Sequence, residues 1–420
     1  MADEMNLSNG DVAWLLISSF MTMLIIPALA FLYSGSIRKK NMLHMIVQCY
    51  LTFAAITIIW SLLGYSLVFG DTSGRFIGDT KYFLLRKIAD ESSTIPGMAF
   101  FFFQLCTSIL APCLILGSCA ERFSPFPFLI FSCIWVLIVY CPVLHWLLHE
   151  DGWLNKSGVK DFGGKMAVHI TAGYSSVAIC YLMERRKIPK KEKVGAENVA
   201  YVMLGTSLLW FGWLGYNGGA GSRADGRAAL ALVNTNLSGV AGAFGWSLVD
   251  YITKRRIKAT GISIGILSGL VSISSGSGYC PPWSSLVIGL IGSILSHLVS
   301  ICRLHNNFDD TLDVFACQGI AGTWGAYATG FFANEEFAGV EANLVKGAFY
   351  GRGSLVGYQV VGICAIGGYS IVITFVIGYV MKCLGCLRVV EEVEDKGLDI
   401  EVYGEEAYII NAGVIRAPVS

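Results

Sequence analysis

Charged residues are scarce in this chain of 420 residues, where Asp, Glu, Lys and Arg together make up 14%. Soluble globular proteins carry about 25%, and 54% of this chain is hydrophobic. A soluble globular class is therefore excluded, and we predict an integral membrane protein. Because a helix satisfies its own backbone hydrogen bonds in lipid, long apolar runs indicate an all-α protein.

Several chemical signatures are also missing from the sequence. It contains no phosphate-binding loop, no dinucleotide fingerprint and no zinc-type spacing. Cys383 and Cys386 have no second pair to complete a metal site, and most of the 13 cysteines lie in apolar segments. No carboxylate pair or activated nucleophile lies inside those segments. We therefore expect neither ATP-driven pumping nor an enzyme, and no cofactor, metal or nucleic acid partner.

Long apolar runs recur along the chain. About 20 apolar residues in a helix cross the roughly 30 Å hydrocarbon core of a bilayer. Eleven runs meet this requirement, so we predict eleven transmembrane helices. They lie near 12–35, 42–70, 98–119, 126–148, 164–183, 197–217, 228–251, 259–279, 284–302, 311–333 and 356–385.

Basic residues set the orientation of these helices. They cluster at 38–40, 185–193 and 254–258, in loops that follow odd-numbered segments. Since Lys and Arg concentrate in cytoplasmic loops, we place the N-terminus outside. The odd number of helices then leaves the tail, 387–420, in the cytoplasm after a transmembrane domain over 1–386. This polar tail is either a regulatory segment or a merely solvated terminus.

Two polar residues inside apolar segments share a pattern. His169 and Gln318 are each followed, three and four residues later, by Ala-Gly. They lie in segments 5 and 10, the last segments of two five-helix halves. An odd number of helices per half makes the second half an inverted repeat of the first, followed by one final long helix. A polar side chain in lipid must find a partner or line a path, so we predict that the two share one site.

Further motifs extend over nearly the whole chain. They occupy 26–35, 38–41, 60–67, 120–123, 161–164, 212–219, 231–235, 312–315, 322–326, 397–399 and 404–408. Together they resemble the ammonium transporters of the Amt, Mep and Rh superfamily, and the Amt branch in particular. The resemblance implies a multi-pass homotrimer in the plasma membrane, with one narrow pore for ammonium or ammonia in each subunit. It also implies coupling between subunits through the tail, with a PII-type regulator as a candidate partner there.

One departure from the family lies in mid-pore. The resemblance places His169 at the first of two histidines that share a proton, while Gln318 occupies the second position. A glutamine can accept a hydrogen bond from His169 but does not titrate. Proton-coupled, electrogenic transfer is therefore in question. We expect either passage of neutral ammonia or binding of ammonium without charge transfer.

A second departure lies at the outer gate and recruitment site. In the family, aromatic faces and a hydroxyl hold ammonium above a phenylalanine gate by cation–π attraction. By resemblance, Thr107 stands at that gate, Leu148 at the tryptophan position and Ala220 at the serine position. Tyr216 remains aromatic at the second gate. Asp161 is retained, and we favour a helix-capping role over contact with the ion.

The ring missing at the tryptophan position has two candidate replacements, Trp146 and Trp153.

Three function classes follow from the residues together. The first is a transporter or channel for ammonium or ammonia, and the second is a sensor that binds ammonium and signals through its tail. The third is a pore for another small neutral solute, such as carbon dioxide or methylamine.

Overall fold

The structure is a computed structural model that describes residues 8–88, 95–187, 195–305, 308–339 and 345–408. The first seven residues, the end of the predicted tail at 409–420 and part of the basic loop at 188–194 lie outside the described residues. Within them the chain is almost entirely helical, with one antiparallel pair of short strands, Thr72–Ser73 and Ile77–Gly78.

Sixteen α-helices are described. They are α1 Asn9–Met23, α2 Ile25–Ser36, α3 Met42–Ile59, α4 Tyr65–Phe69, α5 Gly97–Ser118, α6 Pro125–Trp135, α7 Cys141–Leu148, α8 Trp153–Ser157, α9 Lys165–Met183, α10 Val199–Gly218, α11 Gly226–Lys254, α12 Ala259–Ser274, α13 Pro282–His305, α14 Ala321–Phe332, α15 Ser354–Cys383 and α16 Glu391–Lys396. Wider π-helical turns lie at Trp60–Gly64, Val136–Tyr140, Phe315–Ile320 and Asp399–Tyr403, and short 3₁₀ turns at Lys39–Asn41, Phe83–Leu85, Glu335–Phe337 and Ala348–Tyr350.

These helices confirm the predicted membrane fold. Each of the eleven predicted segments coincides with a helix or a continuous run of helical turns. Among the described residues, nine such runs are long and apolar enough to cross a membrane, and Ala259–Ser274 is a shorter apolar helix. The number of eleven crossings and the orientation of the helices stay predictions.

Prolines interrupt two of the long runs. α1 ends at Met23 and α2 begins after Leu24. Pro27 accounts for the break, because proline lacks an N–H and its ring clashes with the carbonyl four residues earlier, that of Met23. In the same way, the π-helical turn Val136–Tyr140 ends two residues before Pro142.

The helices of the two predicted halves meet at glycines. α9 packs against α15, α5 and the π-helical turn Phe315–Ile320. A Cβ atom on Gly173 would lie 2.1 Å from the backbone nitrogen of Gly319, so the two chains touch backbone to backbone. A Cβ atom on Gly322 would lie 3.0 Å from Cβ of His169. The glycine of each Ala-Gly pair thus packs beside the polar residue of the other segment.

Buried charges join the loops at the predicted cytoplasmic end. Glu121, which is 1% exposed, accepts hydrogen bonds from Nε of Arg38 at 2.8 Å and Nη1 of Arg186 at 2.7 Å. Asp309 pairs with Arg186 at 2.9 Å and Arg122 at 3.0 Å. Burial opposes ionisation of Asp309, but the two guanidinium groups hold its pKa below the usual range.

The described part of the tail packs against this end of the bundle. The Asp399 carboxylate accepts hydrogen bonds from the N–H groups of Leu43 at 2.9 Å and His44 at 2.7 Å, in the first turn of α3. The N–H of Leu398 donates to Oδ1 of Asn41 at 2.9 Å. Because Leu398 and Asp399 are almost fully buried, the tail up to Tyr408 is more than a solvated terminus. The domain boundary at residue 386 stays a prediction.

Candidate functional site

His169 and Gln318 lie in direct contact inside the helix bundle. Nδ1 of His169 and Oε1 of Gln318 are 2.7 Å apart, and each residue is 1% exposed. An amide oxygen can only accept a hydrogen bond, so the contact requires the proton to be on Nδ1 of His169. This hydrogen bond fixes the tautomer and leaves Nε2 of the histidine as an acceptor.

Local backbone features position this pair. Gln318 lies within the π-helical turn Phe315–Ile320, which turns into α14 directly afterwards. Such wide turns occur as single insertions in helices and are frequent at functional sites. His169 lies on α9, one turn before the close contact between Gly173 and Gly319. The absence of side chains at that contact lets the two segments approach closely enough for the hydrogen bond.

Aromatic rings surround the histidine. The Trp213 ring is stacked on the imidazole at 5.4 Å between centroids and 14° between planes. Tyr216 meets the imidazole in an edge arrangement at 5.9 Å. Nε1 of Trp213 donates to Oγ of Ser274 at 3.0 Å, which holds the indole in place. Two aromatic rings therefore cover the imidazole of His169.

Three buried polar atoms at the site have no hydrogen-bond partner among the described residues: Nε2 of His169, Nε2 of Gln318 and the Tyr216 hydroxyl. Buried polar groups in proteins are usually paired, so unpaired ones call for a ligand or water. One nitrogen is an acceptor and the other a donor. A small amine could donate to the first and accept from the second.

A cavity of about 1070 Å³ opens at the end where α9 begins. Leu148 and Ala220, two of the predicted gate and recruitment residues, line it together with Asp161. Thr107 and Tyr216 lie deeper and are 2% and 0% exposed. The Thr107 hydroxyl donates to the carbonyl of Gln104 at 2.7 Å, within its own helix. The structure thus brings the predicted mouth residues together, while their roles stay predictions.

Asp161 has the geometry of a helix cap. Its Oδ2 accepts a hydrogen bond from the N–H of Met166 at 2.8 Å, in the first turn of α9. Burial raises the pKa of this carboxyl to about 6, although the Met166 N–H opposes the rise. The two tryptophans considered as replacement rings lie elsewhere. Trp146 packs against Trp153 at 5.5 Å between centroids, and neither is among the residues that line the cavity.

Sequence reasoning missed Lys165, the first residue of α9. Its side chain is 0% exposed, and Nζ donates to the carbonyl of Tyr216 at 2.7 Å. The same nitrogen lies 3.2 Å from the centroid of the Tyr216 ring and 5.9 Å from that of Phe103. The sequence did carry a signal, because Lys165 is the only charged residue in the predicted segment 164–183 and follows two glycines.

Membrane-length helices around a buried polar pair, with a cavity at the end where α9 begins, are typical of a membrane transport protein. Comparison with known proteins shows which one. The model of the Ammonium Transporter Family matches residues 13–408. An ammonium transporter of Bacillus subtilis is 35% identical over 404 residues, which cover 95% of this chain and 98% of the relative.

Solved structures agree with this match. The crystal structure of Candida albicans Mep2 has a TM-score of 0.85 and 29% identity, over 92% of this chain and 88% of that one. A structure described as Sensor Amt Protein has a TM-score of 0.87 and 26% identity, over 94% and 98%. The chain belongs to the ammonium transporter family. It is a multi-pass membrane protein whose function is ammonium transport, and the predicted resemblance is confirmed.

Proposed function

We propose that this protein moves ammonium nitrogen across the plasma membrane as neutral ammonia, along the side of the His169/Gln318 pair and without a proton relay between them. The observation that carries the proposal is the 2.7 Å contact from Nδ1 of His169 to Oε1 of Gln318. This contact uses the proton on Nδ1 of His169 to hold the two side chains in one orientation. A relay would need a partner that can take that proton, and an amide oxygen is not a base near neutral pH.

The surroundings of the pair favour a neutral species. The Trp213 and Tyr216 rings cover the imidazole, and the pair is almost fully buried. Moving an ion out of water into such a site is expensive unless charged or polar groups compensate for its lost hydration. Ammonia needs less compensation, and the unpaired Nε2 atoms of His169 and Gln318 match its donor and acceptor capacity.

Solid-supported membrane electrophysiology on the purified protein in liposomes tests this proposal. Ammonium pulses should give no sustained current with the wild type and a clear current with Gln318→His, which restores a titratable partner. Gln318→Met is the matched control, because it keeps the chain length but can neither accept the His169 proton nor titrate. A wild-type current equal to that of Gln318→His would refute the proposal.

Stopped-flow measurement of internal alkalinisation supplies the second readout. On the same liposomes, an ammonia pulse should raise the internal pH faster with the wild-type protein than with empty liposomes. No flux in either assay, together with measurable ammonium binding, would favour the sensor function. Structural similarity does not favour the sensor function over transport, because the sensor structure and Mep2 match this chain almost equally well.

Assembly and regulation are part of the same proposal. Large apolar side chains are exposed on several helices, for example Phe20, Phe126 and Phe244, and these need lipid or neighbouring subunits as cover. We propose a homotrimer, with the tail as the contact for a PII-type regulator. Mass photometry of the detergent-solubilised protein should give three times the subunit mass of 45.5 kDa plus bound detergent.

A further inference from the structure

Lys165 places a primary amine on the aromatic ring of Tyr216, inside the helix bundle. Its Nζ is fully buried, lies 3.2 Å from the centre of the Tyr216 ring and donates to the Tyr216 carbonyl at 2.7 Å. An aromatic face and a carbonyl oxygen are contacts by which proteins recognise small ammonium cations. The lysine therefore makes with its own side chain the contacts that a free ion would seek.

Two glycines place the lysine there. Gly163 and Gly164 both have φ of +75°, a left-handed conformation that other residues adopt at a cost. A Cβ atom on Gly163 would lie 2.6 Å from Cβ of Ala220, and one on Gly164 would lie 2.4 Å from Cδ1 of Leu144. The chain thus turns sharply against its neighbours and directs the first side chain of α9 into the bundle.

Lys165 also stands between the cavity and the polar pair. Gly163 lines the cavity, Lys165 follows two residues later, and His169 lies one helical turn beyond, about 6 Å along α9. The chain at the end of α10 shows the same order, since Ala220, just after the helix, lines the cavity and Tyr216, on the helix, contacts His169. The ring between cavity and histidine is therefore the ring that carries the lysine ammonium on its face.

A single acidic residue is a charged neighbour of the Lys165 amine. Asp161 lies in the preceding loop, and its Oδ2 accepts a hydrogen bond from the Met166 N–H. The lysine has no carboxylate within 4 Å among the described residues. The Phe103 ring, 5.9 Å away, adds a second aromatic surface. The Tyr216 ring and carbonyl are thus the near partners of the Lys165 amine.

We propose that the Lys165 ammonium group is an internal competitor of ammonium: it occupies the cation position on Tyr216 and keeps free cations from reaching the His169/Gln318 pair. This inference rests on the proposed function, because it explains why that pathway would admit ammonia and reject ammonium. A tethered group acts at an effective concentration on the order of millimolar or above. A free ion must exceed that concentration, or bind more tightly, to replace it.

Binding of radiolabelled methylammonium to the purified full-length protein tests the proposal. Lys165→Met removes the charge and keeps a long apolar side chain, whereas Lys165→Arg keeps the charge and is the matched control. We expect the Met variant to half-saturate at a concentration at least tenfold lower than the wild type. The Arg variant should stay within about threefold of the wild type, and ammonium chloride should displace the bound label.

A second neutral variant distinguishes the effect of the lost charge from the effect of misfolding. Lys165→Gln retains a donor for the Tyr216 carbonyl and removes the charge, so it should show the same gain in binding. A neutral variant that elutes like the wild type in gel filtration and half-saturates within twofold of it would overturn the proposal. Failure of the proposed function would be seen in a different assay, as absent ammonia flux in the wild type. The binding comparison does not require flux, so the two failures can be distinguished.

Discussion

Substitution of Gly173 by alanine should open the contact on which the polar pair depends. The added Cβ would lie 2.1 Å from the Gly319 nitrogen and 2.2 Å from its Cα. Ordinary van der Waals contacts begin near 3.4 Å, so α9 and the turn Phe315–Ile320 must separate by roughly 1 Å or more. Overpacking of this kind costs about 1–3 kcal/mol. Both partners are backbone atoms, so no side chain can rotate away.

The same displacement should disturb the site. His169 lies one turn before Gly173, and its 2.7 Å contact with Gln318 spans the two segments that are pushed apart. A separation of 1 Å would lengthen this contact to about 3.7 Å, beyond the range of a hydrogen bond. We therefore expect slower ammonia flux as well as lower stability for Gly173→Ala.

Gly368→Ala is the matched control. Gly368 lies within α15, and a Cβ atom there would meet nothing within 4 Å. This substitution should leave flux unchanged and raise stability slightly, by up to about 1 kcal/mol, because alanine is the better helix former. Thermal unfolding in detergent, followed by tryptophan fluorescence, and stopped-flow alkalinisation in liposomes give the two readouts. Equal stability and equal flux for the two alanine variants would refute the reasoning.

Three further predictions concern the loops. Glu121→Gln should lower thermal stability strongly, by about 3–5 kcal/mol, because the buried Arg38 and Arg186 guanidinium groups both lose the Glu121 carboxylate, even though Arg186 keeps its pairing with Asp309. Glu392→Gln, at an exposed pair, should leave stability nearly unchanged. The pKa of Asp161 is raised, so the stability that this carboxyl contributes is present at low pH and is lost as pH rises through about 6. The Asp161→Asn variant keeps an acceptor for the helix N–H group but does not titrate. The stability of this variant relative to the wild type should therefore rise between pH 5 and pH 8. Asp399→Ala should release the tail from α3 and speed its cleavage in limited proteolysis, whereas Glu405→Ala, at an exposed position, should not; equal cleavage rates would contradict the described docking of the tail.

The fold was predictable because its signal is repeated many times. Each membrane-length segment needs about 20 apolar residues, and a run of that length stands out from the sequence without knowledge of its neighbours. Interruptions within segments were less visible. Pro27 and Pro142 mark two of them, whereas the π-helical turn at Phe315–Ile320 contains no proline and depends on packing against α9.

The site was predictable in part. His169 and Gln318 stood out because both are polar inside apolar segments with the same Ala-Gly spacing. The spacing itself acquires a meaning only in three dimensions, where Gly173 packs on Gly319 and Gly322 on His169. Leu148 ends α7, Asp161 precedes α9 and Ala220 follows α10, yet all three line the same cavity.

The sequence by itself determined that this chain crosses a membrane, that it resembles ammonium transporters and that Gln318 cannot titrate. It could do so because hydropathy, motifs and side-chain chemistry depend only on the residues and their order. Only the tertiary structure decided which way those side chains face. Lys165 could equally have reached toward the aqueous end of α9, as lysines near helix ends commonly do. The backbone turn at Gly163 and Gly164 directs it instead onto Tyr216, and that direction depends on neighbours distant in sequence.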